Sequence, residues 1–411
     1  MGNFSIALSG LQANSVALNT IGNNLANLNT TAFKGQTTAF EDLFYQQIGQ
    51  SGSGDAIQLG AGTRVSGTST NFTEGTILPD SNSNSADMAL AGNGFFVVQQ
   101  GGVQSLTRAG NFQLSSNGNL ITQDGQQVMG YAALNGVVNQ NSSLSPITIP
   151  VGLNVGAQAT QNFSITANLN SNATVGTPYS SPVTIFDSLG QSHQATVSYT
   201  KTGTNTWSYS VSLPAGDATG APTNNTGTLT FDSSGNLVSP AGSVNNITFP
   251  GLVDGASDLS FNWNLNNSSG TPTISQLASA SSNTSKFQDG FTSGVYQSFI
   301  VDPAGVITAQ FSNGRTSTIG QLAVATVANT AGLTASGGNN FMTTAASGLA
   351  TVGVAGAGGR GALVDGALEQ SNVNISTEFS NLIIAQRAFE ANSKTVTTFD
   401  TISQDVISMV R

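Results

Sequence analysis

The residues that could do chemistry are few. The 411-residue chain has no cysteine and a single histidine, His193, so thiolate nucleophiles, disulfides and His- or Cys-based metal sites have little to be built from. Asp187, Ser188 and His193 supply the residue types of a hydrolytic triad. A triad is a geometry, however, and Asp187-Ser188-Leu189-Gly190 has the composition of a hairpin turn feeding a strand that carries His193. Asp254 and Asp258 form a loose acidic pair that glycoside chemistry could use, but the spacing reads more simply as a polar loop. Gly356-Ala357-Gly358-Gly359-Arg360-Gly361 matches a dinucleotide-loop pattern, with Glu378 downstream. No strand is expected before it and no helix at it, and Glu378 falls within a predicted helix, so the run reads as a glycine-rich connector. No cofactor and no enzymatic activity are expected.

Composition narrows the partners. Charged residues are 7% of the chain, with 20 acidic against 10 basic side chains, where ordinary domains carry roughly 25%. No stretch is basic enough to follow a phosphate backbone, so nucleic-acid binding is not expected. Gly (48 residues), Ser, Thr and Asn replace charge and make a surface of neutral hydrogen-bonding groups. The 38% of apolar residues, many alternating with polar ones, argue for a folded, β-rich chain rather than disorder. Asn-x-Ser/Thr sequons follow from this composition and single out no site. No apolar window has the roughly eighteen residues of a membrane helix, so membrane insertion is not expected. The first 33 residues hold no Lys or Arg, which excludes a signal-peptide n-region and leaves either a cytoplasmic protein or export without a cleaved signal.

The elements that must position these residues differ between the ends and the middle. Phe4, Ala7, Leu11, Asn14, Leu18, Ile21, Leu25 and Leu28 recur at spacings of three and four, a heptad seam with one polar break. Phe379, Leu382, Phe389, Val396, Phe399, Ile402, Val406 and Met409 form a second stripe. Each end predicts a helix of roughly 28–35 residues, about 40–50 Å long. Seven Asn and three Gly before position 30 lower intrinsic helicity, so the N-terminal segment needs partners. An intramolecular helical hairpin and assembly between subunits both satisfy the periodicity.

Between the ends, Gly94–Val98, Asn111–Leu114 and Asn119–Thr122 read as short strands between turns. The turn Ser115–Thr122 is echoed by Asp232–Ser239 and by Asp302–Thr308. The fold class is therefore mainly β with terminal α-helices: discontinuous, nested β domains framed by a helical coiled-coil pair. The expected division is 1–33 with 370–411 as a terminal helical core, 34–70 as a connecting segment, 71–150 with 286–369 as an inner β-rich domain, and 151–285, which holds Trp207, Trp263 and His193, as an inserted outer β domain.

Three sets of residues carry a resemblance. Ser9-Gly10-Leu11-Gln12-Ala13, Asn23-Asn24-Leu25-Ala26-Asn27-Leu28-Asn29-Thr30 and Phe33-Lys34-Gly35 closely resemble the N-terminal signature of the bacterial flagellar rod and hook axial proteins. Gly366–Val373 and Gln386–Lys394 are similar to the C-terminal signature of that family, and Gly94–Val98 with Thr107–Phe112 to its first β domain. The segment entered at Phe186–His193, with Trp207 downstream, points to the hook member rather than the shorter rod proteins. The resemblance implies a subunit of the curved tube that joins rod to filament and transmits torque as a universal joint. It implies self-polymerisation through the terminal seams, contacts with rod, hook-cap and hook–filament junction proteins, an extracellular flagellar location, and passage through the flagellar type III apparatus without a cleaved signal. It also implies that the terminal helices line the tube and the β domains lie further out. Alternatives are a distal rod protein of the same family and, from another class, an extracellular carbohydrate-binding β protein. One departure is Ala32, where Gly is usual before Phe-Lys; it suggests that the backbone there need not take a positive φ.

Overall fold

A computed structural model of the chain describes residues 2–50, 52, 56–79 and 86–409. The chain divides into two compact units, one made of Met1–Val151, Ser298–Ala309 and Thr316–Arg411, the other of Gly152–Gln297 and Gln310–Arg315. The described residues are mainly β, with long helices at the two ends.

In the first unit, helix α1 spans Gly2–Ala26 and helix α2 Ile375–Met409. Helix α2 has the expected length, and Asn374 starts it by accepting the Thr377 N–H on Oδ1 at 3.1 Å, with Glu378 in the first turn where the helix dipole favours an acid. Helix α1 is shorter than expected. In the last turn the Asn24 side chain exchanges two hydrogen bonds with the Gln36 backbone, at 2.7 and 2.9 Å, and the Asn27 side chain folds back onto the Asn23 carbonyl. Side chains that offer the backbone such alternatives end helices, so Leu28 lies in the turn after α1 rather than on it.

The connector after α1 holds β1 (Gln36–Asp42) paired antiparallel with β4 (Thr63–Thr70), and β2 (Tyr45–Gln50) paired with β3 (Ala56–Gly60). Beyond it, an antiparallel sheet includes Phe95–Gln100, Val103–Thr107, Gln127–Leu134 and Thr316–Thr326. Val97 stands opposite Leu106 and Val98 opposite Val128. One face buries Phe95, Val97, Leu106, Met129, Tyr131 and Phe341, and Phe72, Phe95 and Phe341 meet edge to face at 5.1–6.0 Å. Two short pairings then join distant parts of the sequence: Met88–Ala91 with Ala362–Asp365, and Ile77–Pro79 with Ala367–Glu369. A strand, Thr351–Val354, does precede the glycine run, contrary to the expectation. A second strand, Ala362–Asp365, follows it in place of a helix, so the run is a turn and offers no helix N-terminus to a phosphate.

The second unit is a sandwich of two five-stranded sheets. One is an antiparallel run of Pro178–Phe186, Ser192–Gly203, Thr206–Ser212, Thr226–Phe231 and Leu237–Ser239. The other centres on Asn162–Asn170, whose residues alternate strictly between buried and half-buried, the period-2 signature of a strand with one face on a core. Trp207, Trp263, Tyr199, Phe163 and Phe261 fill the space between them, and the Trp207 indole donates to Gln276 Oε1 at 2.8 Å.

Candidate assembly interface

Helices α1 and α2 pack antiparallel. Gly10 faces Asn392, and Ala17, Thr20 and Ile21 share one groove with Asn381, Ile384 and Ala385. Among its described residues, α1 buries Ala7, Gly10, Ala13, Ala17, Thr20 and Asn24. The last five stand one position before Leu11, Asn14, Leu18, Ile21 and Leu25, and one position is a rotation of about 100° around a helix. The inward stripe is thus one of small residues, displaced from the large apolar one. Small side chains let the backbones approach: a Cβ on Gly10 would sit 2.9 Å from Asn392 Oδ1.

The large side chains of the seams are left at the flanks. On α1, Leu11, Leu18, Ile21 and Leu25 are half-buried and Phe4 is exposed; Leu28, in the turn beyond, is half-buried. On α2, Leu382, Val396 and Phe399 are half-buried, while Phe379, Phe389, Ile402, Val406 and Met409 are exposed, as are Ile383, Ile384 and Ile407, which periodicity did not select. Only Ala385 is buried among the described residues of α2. In the antiparallel register α2 outruns α1, and every residue from Asp400 to Met409 is exposed. That overhang is about 13–15 Å of helix, with Ile407 69% exposed. Isolated exposed apolar residues are ordinary, but a contiguous set on one helix marks an interaction surface.

Behind the helices lies a buried charge cluster that pattern reasoning did not single out. Glu369, in the strand just before α2, accepts from Lys34 Nζ (2.6 Å) and the Gly75 N–H (2.8 Å) on Oε1, and from Arg108 Nε (2.9 Å) on Oε2. The Arg108 guanidinium also donates to the Leu90, Gly92 and Gly94 carbonyls, and Lys34 Nζ to that of Thr73. Burial pulls the Lys34 ammonium below the usual lysine range, while the hydrogen bond and attraction from Glu369 oppose that shift. The available signal was scarcity: four of only ten basic residues, Lys34 and Arg108 among them, sit in the motifs that carry the family resemblance. Beside the cluster, Ala32 has φ +54°, correcting the expectation that no positive φ is needed there. Its side chain is buried, and its N–H donates to the Glu369 carbonyl at 2.8 Å, a bond that holds the strained conformation in place.

In the second unit, the acids and the histidine that invited a catalytic reading do meet. His193 Nε2 lies 3.0 Å from Asp187 Oδ2 and 3.5 Å from Asp254 Oδ2, and Nδ1 lies 3.0 Å from Asp217 Oδ2. Ser188 is absent from this group, because its hydroxyl accepts the Ser257 N–H. Without the serine there is no nucleophile for a triad. Asp258 is turned to the Gly251 N–H, which donates to its Oδ1, so the two acids of that loose pair face different partners.

The chain is similar to known proteins along its length. Residues 4–34 match the family of flagella basal body rod proteins, residues 89–168 the D1 domain of flagellar hook protein FlgE/F/G, residues 154–291 the flagellar basal body protein FlaE D2 domain, and residues 364–409 the C-terminal domain of flagellar basal body rod FlgEFG proteins. The chain is 35% identical to flagellar hook protein FlgE of Salmonella typhimurium, over 99% of both chains, and 30% identical to that of Treponema pallidum, over 98% of both. A crystal structure of Helicobacter pylori flagellar hook protein FlgE2 shares the fold, with a TM-score of 0.54 and 16% identity, covering 71% of this chain and all of the other. With end-to-end likeness of this kind over both terminal helices, the inner sheet and the inserted sandwich, the chain belongs to the FlgE flagellar hook protein family.

Proposed function

We propose that this protein is the structural, non-enzymatic subunit of a bacterial flagellar hook, polymerising helically through its two ends into a flexible tube that couples rod to filament and transmits torque. The observation that carries the reading is the α2 overhang, where Ile402, Val406, Ile407 and Met409 find no cover among the described residues. Copies of the same chain supply that cover, with Phe4, Leu11, Leu18, Ile21 and Leu25 of α1 and Phe379, Leu382, Phe389, Val396 and Phe399 of α2 at the seams and Leu28 at the turn beneath them. The absence of charge from the first 33 residues lets such packing proceed without burying unpaired ions. We assign 1–33 with 370–411 to the assembly core, 34–70 to a connector, 71–150 with 286–369 to an inner β domain and 151–285 to the inserted domain. Rod, hook-cap and junction proteins and the flagellar type III export apparatus are its further partners, and its place is the extracellular part of the flagellum, reached without a cleaved signal.

The test is the pair of substitutions Ile402→Asp and Val406→Asp. Both side chains are exposed in the single chain, so thermal melting of the monomer should stay within about 0.5 kcal/mol of the parent. Electron microscopy under polymerising conditions should show curved tubes from the parent protein and none from the double variant. Tubes of normal length from the variant would overturn the reading.

A further inference from the structure

The group around His193 has no part in the assembly reading, and its geometry makes a specific demand. Both ring nitrogens face carboxylate oxygens at 3.0 Å, Nδ1 that of Asp217 and Nε2 that of Asp187, with Asp254 3.5 Å from Nε2. A neutral imidazole carries one N–H and one lone pair. In either tautomer, the lone pair would point at a carboxylate. The imidazolium alone satisfies both contacts, and it is the only positive group in the cluster. Among the described residues of this unit, the other cations are used elsewhere: Lys201 donates to the Ser171 carbonyl, Lys286 to that of Pro182, and Arg315 lies over the Phe291 ring.

Each acid comes from a different connection. Asp187 opens the turn before the strand Ser192–Gly203, and its Oδ1 is fixed by the Leu189 and Gln191 N–H groups, which aims Oδ2 at the ring. Asp217 lies in the loop after Thr206–Ser212, and Asp254 in the loop after Ser243–Phe249. These two loops are stitched by backbone bonds, Val253 N–H to Asp217 and Thr219 N–H to Gly251. The contact from the Asp187 turn to them runs through His193, through Asp254 beside Asp187, and through the Ser257-to-Ser188 bond.

We propose that protonated His193 is a proton-held clasp that fastens the Asp187 turn to the paired 217 and 254 loops, so that this end of the inserted unit loosens when the proton leaves. Burial of the ring opposes the charge, but hydrogen bonds and attraction from Asp187 and Asp217 outweigh it and hold the imidazole above its usual range. Asp187 is pushed up by burial but held down more strongly by its bonds to Asp254, His193 and the turn backbone. The signs define a window. The raised histidine contributes stability that is complete below about pH 6.5 and lost as pH rises through its folded value. The depressed Asp187 contributes stability present above about pH 3.9 and lost as pH falls through its own folded value. The clasp is closed between those limits, and above the upper one three carboxylates are left with no counter-charge.

Because His193 is the only histidine, long-range 1H–15N correlation on the full chain reads it directly. At pH 6 both ring nitrogens should be protonated, with a midpoint above 6.5 that falls in Asp217→Asn. Amide exchange over residues 214–219 and 252–257, corrected for intrinsic base catalysis, should rise roughly tenfold or more between pH 7 and 9, as loss of a charge-assisted hydrogen bond implies. Asp217→Asn should show much of that rise already at pH 7. A midpoint at or below 6.5, a singly protonated ring at pH 6, or unchanged exchange would overturn the proposal. So would protection that disappears on adding EDTA at pH 7, because the carboxylates would then be holding a metal ion in place of the proton.

Discussion

Replacing Glu369 by Gln removes one charge from a buried cluster of three and leaves the Lys34 ammonium and Arg108 guanidinium facing each other. The side chains of Lys34 and Glu369 are 1% and 0% exposed, so water cannot take over. The amide can still accept from Lys34 and Gly75 through its oxygen, but its NH2 then meets Arg108 Nε, donor against donor. Breaking a buried pair by removing one partner costs about 3–5 kcal/mol. At roughly 2–4 °C per kcal/mol for a unit of this size, the helix-bearing unit should melt some 6–20 °C lower. Both tryptophans, Trp207 and Trp263, belong to the other unit. Tryptophan fluorescence is therefore an internal control whose transition should not move, while the helical circular dichroism signal drops early.

The pH dependence carries the sharper test. Lys34 is already pulled down by burial, and Glu369 supplies the largest opposing effect, so the variant's amine gives up its proton more easily. A lysine depressed in the folded state means that the unfolded chain binds more protons between the folded and unfolded values, and stability then rises with pH. The penalty of Glu369→Gln should shrink as pH approaches 10. A loss below about 1 kcal/mol at pH 7, or a penalty that is flat from pH 7 to 10, would refute the argument that this carboxylate neutralises two buried cations.

Two further outcomes follow from the same contacts. Gly10→Leu places a side chain where even a Cβ would lie 2.9 Å from Asn392; the helices should separate, lowering helical signal and abolishing polymer while tryptophan fluorescence is unchanged. Ala32→Val puts a β-branched residue at φ +54° in a buried site and should destabilise the helix-bearing unit by about 2 kcal/mol or more in denaturant titration, where an equally stable variant would show that the turn relaxes.

Residue periodicity alone determined that the two ends are helical and the middle is β, because those periods record which faces leave water. It also located the turns: Gly118, Gly235 and Gly305 of the three echoed segments all take φ of 78–85°, a conformation that glycine adopts without strain. What it left open was which helical face turns inward. The eye follows large apolar residues, yet packing two backbones closely favours small ones, so the buried stripe of α1 fell one residue aside. The Lys34–Glu369–Arg108 cluster and the meeting of Asp187, Asp217 and Asp254 on His193 were decided by tertiary structure. Each joins residues from separate elements through bonds that depend on directions in space, and a linear pattern holds no record of those directions. The α2 overhang lies between the two cases: its apolar residues were legible in order, but only the antiparallel register of the helices reveals that none of the described residues covers them.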